Sequence, residues 1–404
     1  MSRADVLFAV NDFPPIGGGE SRLYHGLARH LHPAAGVVMF APSLPGAAAI
    51  DALLPTEVLR RPMPPHGGTL SRLARSAAAG AHLAALLARR RFRYLVCGQL
   101  LSLGGPMRTL AAAHGVPYAV FVHGADLLDY HARPPWGRLA RFVIEGADAV
   151  IANSRFTAAL VERLLPEAAR RIVVLPMGVD PAPAVDPADV DSLRRRYRLG
   201  EGPVLLTVAR LVAVKGHDVA LDALPRIAER HPGVRYVIVG DGPERARLEA
   251  HAVLRGVTDR VVFTGRIPEE MRAAHYALGD VYLQLSRVTG TYDGLEGFGL
   301  SFLEAASFGL PSIGGDSGGV GEAIAEGVSG FLVPPLDRDR VVATTLRLLD
   351  DAALRRAMAG SARLWAARHP WARSAETLQS LWNGARAEAA GAEAPHALHH
   401  REAA

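Results

Sequence analysis

Short apolar runs punctuate this chain, each closed by Gly, Pro or Asn. In the first half they are VLFAV, GVVMFAP, YLVCG, YAVFVHG, AVIANS and IVVLP. They are rich in Val, Ile and Phe and show little alternation with polar residues. Strands of a parallel sheet read this way, because helices cover both of its faces. Between them lie Ala/Leu/Arg segments with helical spacing, such as SRLARSAAAGAHLAALLARRR. The second half repeats the scheme with VLLTVAR, YVIVGDG, VVFTG, VYLQLS, PSIGG and GFLVPP. Strand and helix alternating in two series predict two doubly wound α/β domains. The carboxyl ends of both sheets then border a shared cleft, where ligands bind in open α/β sheets.

The segment LPMGVDPAPAVDPADV, residues 175–190, is Pro-rich and lacks helical periodicity, so it reads as a linker. The expected division is a first Rossmann-like domain over 1–180 and a second over 181–368. A C-terminal helix over 369–386, after the break at His369-Pro370-Trp371, is expected to pack back toward the first domain. An Ala/Glu/His-rich tail over 387–404 is expected to be disordered. The length of 404 residues agrees with two domains of roughly 150–200 residues each. No apolar run approaches the roughly 18–20 residues that span a bilayer. The opening ADVLFAVNDFPP lacks a basic leader and reads as a first strand rather than a signal peptide. Cys97 is the only cysteine, so no internal disulfide can form, and a reducing, cytoplasmic setting is expected.

Charge adds one asymmetry. The net charge is +5, but residues 1–180 hold 19 Arg against 12 acids, and residues 181–404 hold 26 basic against 28 acidic residues. A basic half can face an anionic membrane surface, an anionic substrate or nucleic acid. Its confinement to one half argues against nucleic acid, and arginines on solvated helix faces account for it equally well. Of the 45 basic residues, 44 are Arg; Lys215 is the single lysine.

Chemistry concentrates at four strand-to-helix turns. In DGLEGFGLSFLEAASFGLP, residues 293–311, Gly297, Phe298 and Gly299 lead into a helix predicted to begin near Leu300. A helix N-terminus offers unpaired amides to an anion, and the glycines let it approach. Glu296 and Glu304 bracket this turn, and carboxylates suit the paired hydroxyls of a sugar or a ribose. After VLLTVAR, Arg210 and Lys215 leave one loop toward a common anion and could stabilise a departing diphosphate. In NDFPPIGGGE, Gly17, Gly18 and Gly19 follow the first strand. The stretch is not GxGxxG and no acid ends the next strand, which disfavours a nicotinamide dehydrogenase. His123, in VFVHGAD, ends a strand with Asp126 and Asp129 near it. A further glycine-rich turn, SGGVGEAI at 317–324, is a weak signal alone. Two Asp-x-Asp pairs, Asp189/Asp191 and Asp337/Asp339, do not follow core strands and are rejected as metal sites; Asp before a helix is a common cap.

Together, Glu296-x7-Glu304, Arg210-x4-Lys215-Gly216 and Gly17-Gly18-Gly19-Glu20 resemble the retaining nucleotide-sugar glycosyltransferases of family 4. NDFPPIGG, VHGAD, ARLVAVKGHD and GDSGG look especially like the bacterial phosphatidylinositol-mannoside mannosyltransferases. The resemblance implies the GT-B fold, two Rossmann-like domains facing a central cleft. It implies that Arg210 and Lys215 hold the donor diphosphate with the amides of Gly297, Phe298, Gly299 and Leu300. Glu296 would bind the donor sugar, Glu304 the ribose diol, and His123 would lie near the sugar's reacting face. Gly17 to Gly19 would border donor phosphate and acceptor. Gly265, Arg266 and Ile267 would contact the base, with Glu269 a weaker candidate. RVTGTY, 287–292, falls where the family has a variable loop. The family retains anomeric configuration, with donor phosphate helping to deprotonate the acceptor, so no protein nucleophile is expected. Nor is a cofactor or metal. The donor would be GDP-mannose or a UDP-sugar and the acceptor a hydroxyl of a lipid, glycan or metabolite. Peripheral contact with an anionic membrane would use the basic first domain. A sugar-nucleotide epimerase and a non-catalytic nucleotide-sugar binder share the architecture and remain alternatives.

Overall fold

The computed structural model describes residues 5–65, 67–132, 134–289 and 294–389. The expected variable loop, 287–292, lies partly outside these residues. So do residues 390–404 of the tail. The Asp129 side chain also lies outside what the structure describes.

Two all-parallel sheets form the two lobes. The first holds β1 (Val6–Ala9), β2 (Val37–Pro42), β3 (Glu57–Arg61), β4 (Tyr94–Cys97), β5 (Tyr118–Val122), β6 (Ala149–Ala152) and β7 (Ile172–Val174), in the order β3-β2-β1-β4-β5-β6-β7. The second holds β8 (Val204–Val208), β9 (Arg235–Val239), β10 (Val261–Gly265), β11 (Val281–Gln284), β12 (Ser312–Gly315) and β13 (Gly330–Val333), in the order β10-β9-β8-β11-β12-β13. These are the two doubly wound domains that the apolar runs predict. Strand order reverses between β1 and β4 and between β8 and β11, which opens a crevice at the carboxyl end of each sheet.

Three details differ from the sequence reading. Strand β3, EVLRR, has no apolar run to announce it; it is a sheet edge, half-exposed, and carries charge. The expected linker is shorter, because a helix, Pro187–Arg196, starts inside it. Asp186 accepts the Ala188 N–H and Pro187 takes the first helical position, a start signature that outweighs the surrounding prolines. The last helix runs from Trp371 to Ala389, so residues 387–389 of the expected tail are helical.

That last helix crosses back onto the first lobe. Trp371 lies against Gly26 and Gly178, where any Cβ would overlap its ring. The Ser374 hydroxyl donates to the Pro176 carbonyl at 2.5 Å, and the Val179 N–H to the His369 carbonyl at 2.8 Å. One apolar cluster therefore runs through both lobes, from Phe8 and Leu27 through Trp371 and Leu378 to Leu303.

Candidate active site

Every turn singled out in the sequence lies at the carboxyl end of a strand. In the second lobe, β8 leads into the Arg210 loop and a short 3-10 turn, Ala213–Lys215. Gly216 follows with φ +67°, and a Cβ there would overlap the Leu285 carbonyl. The glycine lets the lysine turn lie directly on the end of β11. His217 braces the same loop from within. Its Nε2 is 3.1 Å from the Arg210 carbonyl, which can only accept, so Nε2 carries the proton. Burial pushes this imidazole down to about 4, so it stays neutral at physiological pH.

Lys215 Nζ lies 2.5 Å from Glu296 Oε2. Gln284 Nε2 and Ser286 Oγ donate to the same oxygen at 3.1 and 3.2 Å. Glu296 is thus aimed by three donors from two strand ends. Gly299, φ +92°, is the N-cap of the helix Leu300–Ser307, and among the described residues no side chain caps that end. Phe298 and Leu300 are buried beside it. The lone lysine, the first carboxylate and the uncapped helix end therefore meet at one place.

Glu304 is held differently. Its Oε2 accepts the Tyr276 hydroxyl at 2.8 Å and pairs with Arg272, and its Oε1 lies 3.2 Å from Arg22 Nε. Burial alone would raise this carboxyl; the charges of Arg22 and Arg272 outweigh it and hold Glu304 below the usual range. Burial together with the Glu304 charge pushes Tyr276 well up. Arg22 belongs to the first lobe, on the helix Gly19–His30. Sequence reasoning missed Arg22, Arg272 and Tyr276. Arg22 sits two positions past Glu20 in the glycine-rich motif, but nothing local says that it crosses to Glu304.

Gly265 ends β10 with φ +73°, and its carbonyl accepts the Gly240 N–H at 3.1 Å. Arg266 is exposed and Ile267 half-buried. Exposed Glu269 pairs with Arg272 at 2.9 Å, so the same arginine touches both this loop and Glu304.

In the first lobe, a Cβ at Gly17, Gly18 or Gly19 meets nothing within 4 Å among the described residues. Packing among the described residues does not require these glycines, although Gly18 has φ +134°. Glu20 Oε2 accepts from Gln99 Nε2 at 3.2 Å and lies 3.9 Å from His123 Nε2. His123 Nε2 is 3.1 Å from the Gly98 carbonyl and 2.7 Å from the Tyr24 hydroxyl, which itself donates to Gly98. The consistent assignment puts the proton on Nε2, pointing inward. Burial lowers the His123 pKa, but the Glu20 and Asp126 charges and the Gly98 carbonyl raise it further, for a net increase. Asp126 accepts the His123 N–H and is pushed up to about 6, chiefly by burial. Asp12 is likewise raised to about 6, by burial and by Glu20, against the charges of Arg75, His123 and Arg210. Nothing in NDFPP singles out Asp12, because a lone strand-end acid carries no pattern.

The two halves of the site touch. A Cβ on Gly297 would overlap the His123 carbonyl and crowd the Asn153 amide. The part of His123 nearest the Glu296 turn is therefore its backbone carbonyl. Among the described residues no group of three or more His, Cys, Asp or Glu is placed to hold a metal ion. Asp337 caps a helix by accepting the Arg340 N–H at 2.9 Å, and Asp339 pairs with Arg226. Asp189 and Asp191 lie on the helix Pro187–Arg196.

Two family models match successive parts of the chain: Glycosyltransferase Family 4 over residues 16–183, and Glycosyl transferases group 1 over residues 189–365. The chain is 34% identical over 384 residues to the GDP-mannose-dependent alpha-(1-6)-phosphatidylinositol monomannoside mannosyltransferase of Mycobacterium tuberculosis strain H37Rv, covering 90% of this chain and 94% of that protein. It is 32% identical over 392 residues to the protein of the same description from Mycolicibacterium smegmatis, covering 94% and 99%. Among solved structures, sucrose-phosphate synthase from Thermosynechococcus elongatus superposes with a TM-score of 0.80 at 21% identity, covering 96% of this chain and 100% of that one.

Proposed function

This chain belongs to glycosyltransferase family 4, and we propose that it transfers mannose from GDP-mannose, with retention, to a hydroxyl of a lipid-borne polyol. The observation that carries this reading is the Lys215–Glu296 contact at the mouth of the Leu300–Ser307 helix. An ammonium has three donors. One on Glu296 aims the carboxylate at sugar hydroxyls, and the others serve a diphosphate oxygen. Arg210 and the helix end add positive charge where the leaving group develops its negative charge. Those cations do the work that a metal does elsewhere, so none is required. Glu304 takes the ribose diol, exchanging its Arg22 contact for hydroxyls, and the Gly265–Ile267 segment borders the base. Gly17 to Gly19, open in front of Glu20, receive donor phosphate and acceptor. No side chain serves as nucleophile; the donor phosphate takes the acceptor proton as the new bond forms on the face that the diphosphate leaves.

The donor and acceptor follow the two mycobacterial relatives, whose descriptions name GDP-mannose and a phosphatidylinositol monomannoside. The basic first lobe suits an anionic lipid surface on the cytoplasmic side. The test is transfer from a panel of GDP-, UDP-, ADP- and TDP-sugars to phosphatidylinositol mannosides, with product anomers read by NMR. An α-mannoside from GDP-mannose, formed equally well in EDTA, is expected. Transfer from UDP-sugars only would displace the donor assignment. Conversion of the donor to an epimer, or binding without turnover, would displace transfer itself.

A further inference from the structure

The glycine-rich segment 317–324 takes no part in the donor site proposed above, yet it joins the two lobes. Glu322 lies in the short helix Val320–Ala323. Its Oε2 accepts the Arg155 N–H at 2.9 Å and its Oε1 accepts the Phe156 N–H at 3.0 Å. These are the first two amides of the first-lobe helix Arg155–Leu164. Ser154 Oγ accepts the next, from Thr157, at 2.9 Å. All three leading amides are therefore satisfied, two of them by a carboxylate from the opposite lobe. An anion is favoured there because a helix start carries unpaired N–H groups and partial positive charge.

The same segment is bound from behind to the candidate active site. The Gly319 N–H donates to the Glu296 carbonyl at 2.9 Å. A Cβ on Gly318 would overlap that carbonyl, and one on Gly319 would overlap the carbonyl of Gly297. On the facing side Asn153, which directly precedes the helix cap Ser154, and the His123 carbonyl both crowd Gly297. One short, closely packed piece thus links the Glu296 backbone to the first lobe.

We infer that Glu322 is a positioning residue for glycosyl transfer. Its carboxylate latches the second lobe onto the amino end of the Arg155–Leu164 helix and sets the distance between the Glu296 turn and the first lobe. The kinetic part of its test rests on the donor reading above; the structural part does not.

The experiment compares Glu322→Ala and Glu322→Gln with the parent in the full chain. Gln keeps the length and one acceptor oxygen but loses the charge. For Ala, kcat with GDP-mannose should fall roughly tenfold or more, with a smaller fall for Gln. GDP affinity by calorimetry should change less than about threefold, because the diphosphate cations lie on the second lobe. Small-angle scattering of ligand-free Ala variant should show a larger radius of gyration. GDP affinity falling in step with kcat would indicate a local folding defect and overturn the inference. Unchanged scattering would overturn it too, whatever happens to kcat. If Ala does not fold, Gln carries the same comparison. If the parent binds no GDP, the donor reading fails, and scattering still decides the latch.

Discussion

At the residue scale, the lysine and the carboxylates each owe their state to close neighbours. Lys215 is a compact charge on a flexible stem, whereas Arg is a broad planar fork. The 2.5 Å contact with Glu296, crowded by Gln284 and Ser286 on the same oxygen, leaves little room for that fork. Lys215→Ala should lower kcat by about 10²-fold or more, and Lys215→Arg should also be impaired, checked by steady-state kinetics with the preferred donor. A silent Lys215→Arg would mean that charge alone matters. The acids split in two directions. Glu304 is held low, so its stabilising contribution is present above the ordinary carboxylate pKa and lost as pH falls through its folded-state value. Asp12 is raised to about 6, so the folded state binds the extra proton and stability declines as pH rises from about 4 to 6. Asp12→Asn should remove that decline: the melting temperature of the variant relative to the parent should be more favourable at pH 7.5 than at pH 4.5. An equal difference at both values would place the titration elsewhere.

At the element scale, glycines decide how closely the pieces approach. Gly216 seats the lysine turn on β11, and Gly297 lets the second lobe meet the His123 carbonyl. A methyl at Gly297 cannot be absorbed by moving a flexible side chain, because what it meets first is backbone. Gly297→Ala should cost about 1–3 kcal/mol, read by urea denaturation, and should lower kcat by holding the lobes apart. Normal stability and turnover would show that the contact is dispensable. Such glycines are visible in the sequence as turn signals, but whether a glycine serves a ligand or a neighbouring strand is not. Gly17 to Gly19 meet no close neighbour among the described residues, whereas Gly297, Gly318 and Gly319 are pressed against carbonyls. Strand β3 shows the converse: an edge strand needs no apolar run, so periodicity passes over it.

At the scale of the whole molecule, the first lobe carries the positive excess and the second is close to neutral. If that excess serves an anionic lipid surface, co-sedimentation with phosphatidylglycerol-containing vesicles should be strong in low salt. It should weaken sharply as ionic strength shortens the screening length to about 8 Å at 0.15 M. Binding that is indifferent to salt would argue against an electrostatic footprint. The two-sheet architecture, the strand-end location of the motifs and the placing of Glu296 and Glu304 around one helix start are legible in the amino-acid order. Those features are local: apolar runs, turn residues and short fixed spacings dictate them. Folding alone brings Arg22 and Arg272 together on Glu304, raises Asp12 and Asp126, turns the His123 ring inward and makes Glu322 cap a helix of the other lobe. Each of these joins groups through space or depends on burial. Long-range proximity and desolvation arise when the chain closes on itself and leave no period in the sequence.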